Sequence, residues 1–253
     1  MPRYDFRSPR LFVDHPLSEG TVLPLAAAQQ HYLVDVLRLE PGDGVLVFNG
    51  RDGEWRTELV RPSKKSAALA VSERTRAQAR ANDLHYLFAP LKRARLDYMV
   101  QKAVEMGASR LAPVITRHTQ AERVNLDRMR ANVVEAAEQC GIISLPDVAD
   151  PQPLERALAG MAPERLLIFC DEAAEHADPV SALAAIAPAP GQPPLPLAVL
   201  VGPEGGFSED ERKLLLARPR VLRLALGPRI LRADTAAVAA LSVVQAVLGD
   251  WRQ

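Results

Sequence analysis

From residue 84 onward, short continuous apolar runs alternate with stretches of helical periodicity. Runs 84–89, 111–115, 166–170, 197–201 and 221–226 have the length of buried strands. Between them, Met99, Val100, Ala103, Val104 and Met106 define a helix closed by Gly107, and 126–140, 154–158 and 179–186 read as three more. Ser208 is placed as an N-cap, with Glu209, Asp210 and Glu211 in the first turn of a helix carrying Leu214, Leu215 and Leu216. A strong helical stretch follows from Ala233 to Val247. This alternation predicts an α/β domain with a mostly parallel sheet.

The first third has a different pattern. Strand-like segments at 21–23, 45–48, 55–60 and 67–71 surround a helical stretch, 26–37. Turn signals stand at Pro41-Gly42-Asp43-Gly44, Asn49-Gly50 and Asp52-Gly53. Short strands at this spacing predict a small β-barrel. Residues between Ser72 and Asp83 are small and polar, which places a boundary between a domain of residues 1–73 and one of 83–253. The segment 188–196 holds five prolines and reads as a surface connection.

Composition narrows the function classes. The 31 basic and 31 acidic residues of the 253-residue chain cancel, so any RNA contact must come from a local patch rather than a polycationic coat. Two cysteines, Cys140 and Cys170, far apart and without metal-ligand neighbours, predict neither a disulfide framework nor a metal site. No signal-peptide pattern is evident. The longest apolar stretch, 236–248, is too short to span a bilayer, so a cytoplasmic protein without a membrane partner is expected.

Candidate chemistry lies at strand ends. The run 197–201 enters Gly202-Pro203-Glu204-Gly205-Gly206-Phe207-Ser208, and 221–226 enters Gly227-Pro228-Arg229-Ile230-Leu231-Arg232. Two loops leaving the carboxyl ends of what read as neighbouring strands mark the usual ligand position of an open α/β sheet. Lys92, Arg93 and Arg95 stand beyond one strand, and Arg117 and His118 beyond the next, where they could grip RNA phosphates or form a solubilising rim. Arg3, Arg7 and Arg10 near the start could contact RNA or simply be solvated. His31 reads as a packed helix residue.

The two glycine motifs, extended through Ala233-Asp234-Thr235-Ala236, resemble the cofactor-binding knot of the SPOUT methyltransferases. Within them, the chain resembles the bacterial enzymes that methylate uracil N3 in small-subunit ribosomal RNA. Knots are otherwise nearly absent from proteins, so this feature rests on the resemblance alone. Gln101-Lys102-Ala103 with Glu105-Met106-Gly107, and Glu135-Ala136-Ala137-Glu138-Gln139-Cys140-Gly141, carry it further. Ile142 stands where the family is usually basic. Arg10-Leu11-Phe12-Val13, His31-Tyr32-Leu33 and Pro41-Gly42-Asp43 resemble its PUA-like domain.

The resemblance implies an N-terminal PUA-like small β-barrel, a C-terminal SPOUT α/β domain with a deep trefoil knot, and a homodimer acting on 16S RNA of the 30S subunit. It implies S-adenosylmethionine as cofactor, with its adenine near Leu200, Gly202, Leu226, Gly227 and Leu231. Pro203, Glu204, Gly205, Gly206, Leu224, Ile230, Thr235 and Ala236 complete the implied site. Arg229 and Arg232 are candidates to stabilise a uracilate, or to bind phosphate or pair with Glu204 or Asp234. Asp234, where the family more often has Glu, is a candidate base or a cap of the final helix, a capping role Thr235 could share. Glu204 could face a partner chain, the donor's amino group or a loop N–H. Two other readings remain open here: a nucleotide- or phosphate-binding α/β enzyme using the first glycine loop as an anion cradle, and a non-catalytic RNA-binding dimer.

Overall fold

The computed structural model describes residues 5, 7–63, 66–79, 82–120, 123–174, 178–189 and 191–252. The chain folds into two compact units, 1–80 with 137–145, and 81–136 with 146–253.

The first unit is built on strands β1 (Arg10–Phe12), β2 (Val22–Pro24), β3 (Gly44–Phe48), β4 (Glu54–Ser63) and β5 (Ser66–Arg76). They form one sheet in the order β1-β3-β4-β5-β2, and among the described residues no pairing joins β1 to β2 to close a barrel. β1 pairs parallel with β3 and the other neighbours are antiparallel. Leu23, Leu33, Val45, Val47, Leu59 and Leu69 fill its core. The expected single helix is instead a short α1 (Ala27–Gln30) continuing as a π-helix (His31–Val36) that turns Leu33 into that core. His31 is exposed and pairs with Asp35, contrary to the packed position expected.

β5 runs to Arg76, through part of the polar stretch expected to be linker, because Arg76 pairs with the buried Glu54. Residues 137–145, assigned by sequence to the second domain, cluster with the first. There Ile142 packs with Ile143 and Ala137 against Phe48, so an apolar residue at this position has a packing role.

Among the described residues the second unit has seven strands: β6 (Leu84–Phe88), β7 (Arg110–Ile115), β8 (Asp147–Val148), β9 (Gln152–Pro153), β10 (Leu166–Cys170), β11 (Leu197–Val201) and β12 (Val221–Leu224). Among the described residues every pairing is parallel, in the order β12-β10-β11-β6-β7-β8, with β9 on β7. Its helices are α2 (Arg93–Glu105), α3 (Leu126–Cys140, which passes into the first unit at Ala137), α4 (Leu154–Ala159), α5 (Pro179–Ala184), α6 (Glu209–Leu216) and α7 (Ala233–Leu248). β10 and β11 are buried at every position, as strands covered on both faces should be.

Contrary to the adjacency expected from chain order, β11 and β12 are not neighbours, because β10 lies between them. The chain from β11 crosses β10 to form β12, and the end of β10 therefore stands between the two glycine loops.

Candidate active site

Three strand ends enclose a cleft of about 560 Å³. Its walls are Cys170–Glu172 after β10, Val201–Phe207 after β11, and Leu224–Leu231 at the end of β12, with Ala233 and Ala236 of α7 behind.

The first glycine loop has a specific geometry. A Cβ on Gly202 would lie 2.5 Å from Cε2 of Phe207, so the Phe207 ring occupies the space a side chain would need. Phe207 in turn meets Phe169 edge-on at 5.1 Å, which ties the loop to the core. Gly206 closes the turn with φ of 67° and an N–H donated to the Pro203 carbonyl at 2.9 Å. Ser208 then caps α6: its Oγ accepts from Glu211 N–H at 3.3 Å, while Glu211 Oε2 accepts from Ser208 N–H at 2.8 Å.

Asp171 is the electrostatic centre of the cleft wall. Its buried carboxylate accepts from the Arg212 guanidinium of α6 and, at 2.8 Å, from Nε of Arg223 on β12. Burial pushes its carboxyl up, but the two guanidiniums outweigh that and hold it below the ordinary carboxylate value. One carboxylate thus joins the elements that carry both glycine loops. Beside it, burial raises the Cys170 thiol to about 12, which leaves no thiolate nucleophile there.

The sequence model of an RNA methyltransferase domain family matches residues 78–245, and that of an RNA methyltransferase PUA domain matches 25–72. Ribosomal RNA small subunit methyltransferase E of Synechocystis is 33% identical over 91% of this chain and 74% of its own. The chain belongs to the ribosomal RNA small subunit methyltransferase E family. A family member from Neisseria gonorrhoeae, solved bound to S-adenosylmethionine, superposes with a TM-score of 0.81 at 25% identity, covering 97% of this chain and 100% of that one. A Legionella pneumophila protein solved with the same cofactor gives 0.77 at 28% identity, covering 96% and 99%.

Of the residues expected at the family's cofactor site, Gly202, Pro203, Glu204, Gly205, Gly206, Leu224, Leu226, Gly227, Ile230, Leu231 and Ala236 line the cleft. Leu200 does not: its side chain is fully buried in the core between β-strands and helices. Thr235 is exposed and outside the lining, and it does not cap α7. Asp171 was not anticipated, because its partners lie 41 and 52 residues away and nothing in their spacing marks them.

Arg229 is exposed on the cleft, and Arg232 is exposed at the N-cap position of α7. Neither pairs with Glu204 or Asp234. Asp234 lies in the first turn of α7, half-buried, where it complements the helix dipole rather than capping; its Oδ1 accepts from Thr235 N–H at 3.0 Å.

The basic residues divide. Lys92, Arg93, Arg117 and His118 are exposed, whereas Arg95 is half-exposed and pairs with Glu204. His118 packs on Gly205, and its Nδ1 lies 3.2 Å from the Gly206 carbonyl. In the first unit, Arg7 is exposed, and Arg3 lies outside the described residues. Arg10, expected as an RNA contact, is buried and donates through Nε to Glu54 at 3.0 Å, so its charge is satisfied internally. Among the described residues no group of three or more His, Cys, Asp or Glu could hold a metal ion, and no helix is long and apolar enough to cross a membrane.

Proposed function

We propose that this protein transfers a methyl group from S-adenosylmethionine to N3 of a uridine in small-subunit ribosomal RNA, in the cytoplasm, as a knotted homodimer acting on the assembled subunit. The cleft at the two glycine loops carries this reading. Its volume suits a nucleoside-sized ligand, and Val201, Leu224, Ala225 and Leu226 offer an apolar slot for a purine. At Gly227, φ is 92° and the space a Cβ would take is open, so a ligand can approach the backbone closely. Gly202 to Gly206 and Leu226 to Leu231 would hold the cofactor.

When bound, the cofactor supplies an electrophilic methyl on a positively charged sulfur. The protein's residues orient the uracil and favour loss of its N3 proton. Arg229 and Arg232, exposed and without a carboxylate partner among the described residues, would stabilise the uracilate through its carbonyl oxygens. Asp234, at the start of α7, would receive the proton. Lys92, Arg93, Arg95, Arg117 and His118 would contact phosphates, and in the first unit Arg3 and Arg7 would contact RNA. The path of the chain from β11 past β10 to β12 supports the knot, and the partly exposed Val238, Val243 and Val247 of α7 support the homodimer. A neutral net charge favours a structured particle over free RNA.

The phosphate-cradle alternative is disfavoured. Ser208 and Glu211 N–H groups are already bonded within the capping box, and Glu209, Asp210 and Glu211 crowd that helix end with negative charge.

Calorimetry with S-adenosylmethionine tests the reading. Saturable binding at one site per chain is expected, lost in Gly205→Arg. A folded protein that takes up none would refute it.

A further inference from the structure

Resting on the methyl-transfer reading, we propose that Arg95 is shared between Glu204 and the phosphodiester backbone of the acceptor RNA. RNA binding then releases the Glu204 carboxylate to the cleft and tightens binding of the positively charged methyl donor.

Lys92 and Arg93 follow β6, and Arg117 follows β7, its neighbour in the sheet. All three side chains are exposed, and none has an ion pair or hydrogen bond among the described residues. Arg95, in the same cluster, is the member that carries an ion pair, and its partner Glu204 lies in the glycine loop that lines the cleft. The glycine loop and the helix after it are fastened to the residues that follow β7: Arg117 N–H donates to Glu211 Oε1 of α6 at 2.7 Å, and His118 rests on Gly205.

The Arg95–Glu204 pair is replaceable. The two side chains are 42% and 48% exposed, so water and ions reach both groups. A phosphate that meets Lys92, Arg93 and Arg117 at once gains several charge-assisted contacts and competes for Arg95, which binds phosphate as readily as carboxylate. Glu204 is then left with less compensating positive charge at the rim of the cleft. A cation bound there replaces it, and the sulfonium donor is such a cation. Because the coupling is a binding free energy, it is reciprocal: donor binding strengthens RNA binding by the same factor.

Equilibrium dialysis of labelled S-adenosylmethionine and of S-adenosylhomocysteine, which lacks the sulfonium charge, with and without an oligouridine RNA at low salt, tests this. In the wild type the RNA should tighten the donor about threefold, the scale set by a half-exposed ion pair, and the uncharged-sulfur analogue less. Glu204→Gln should still bind the RNA but show no tightening. Arg95→Gln should bind the donor tightly without RNA and cease to respond to it. Tightening that survives in Glu204→Gln, equal tightening of both ligands, or an RNA that fails to bind or to tighten the wild type would overturn the proposal. Absence of donor binding by the wild type without RNA would instead contradict the methyl-transfer reading beneath it.

Discussion

Asp171 shows how one side chain can govern the cleft. Replacing it by Asn removes the charge that two guanidiniums share while keeping most of the volume. Losing one partner of a buried ion pair costs about 3–5 kcal/mol. Here Arg212 and Arg223 are 22% and 31% exposed and can rehydrate, so Asp171→Asn should cost nearer to ~2 kcal/mol by urea unfolding at pH 7. The carboxyl is held low in the folded state, so its contribution is present above the ordinary value of 3.8 and lost as pH falls through the lowered one. The deficit of the variant should therefore shrink in acid. The glycines of both loops were legible in the sequence as a pair: either turn alone could be an ordinary strand-to-helix connection, but two that each end an apolar run point to one cleft, and both line it. Asp171 and Glu54 were not, since a carboxylate between distant arginines has no local signature.

At the scale of elements, α6 was readable to its cap because Ser208 and the acids after it are a local signal. The sequence did not disclose that Glu211 does two things. One carboxylate oxygen closes the capping box on Ser208, and the other accepts the Arg117 N–H of the loop after β7. Glu211→Ala should cost about 1–2 kcal/mol, more than the loss of a capping side chain alone, and should weaken donor binding by loosening the glycine loop. Thermal unfolding and calorimetry on the same variant separate the two effects. The π-helix at His31–Val36 and the extension of β5 to Arg76 were hidden for a related reason: tertiary contacts of Leu33 and Glu54 override the local pattern.

For the whole molecule, the alternation of runs and helices revealed a parallel sheet, but strand order was beyond its reach. Chain order suggested adjacent β11 and β12; the insertion of β10 between them creates the three-sided cleft and brings in Cys170 to Glu172. Global stability should also carry a pH signature from His85 on β6. Burial, with Arg165 nearby, lowers its imidazole from 6.5 to about 4. Between those values the unfolded chain binds a proton that the folded chain does not, so stability should fall as pH drops from 6.5 towards 4. His85→Leu should flatten that slope in urea titrations. The proposed transfer of a methyl group to uracil N3 is tested most directly by nucleoside mass spectrometry. Small ribosomal subunits lacking the modification would be incubated with the protein and isotopically labelled S-adenosylmethionine. Labelled 3-methyluridine at one position of the small-subunit RNA is expected; label on another base or another atom, or none from a protein that binds the donor, would contradict the proposed activity.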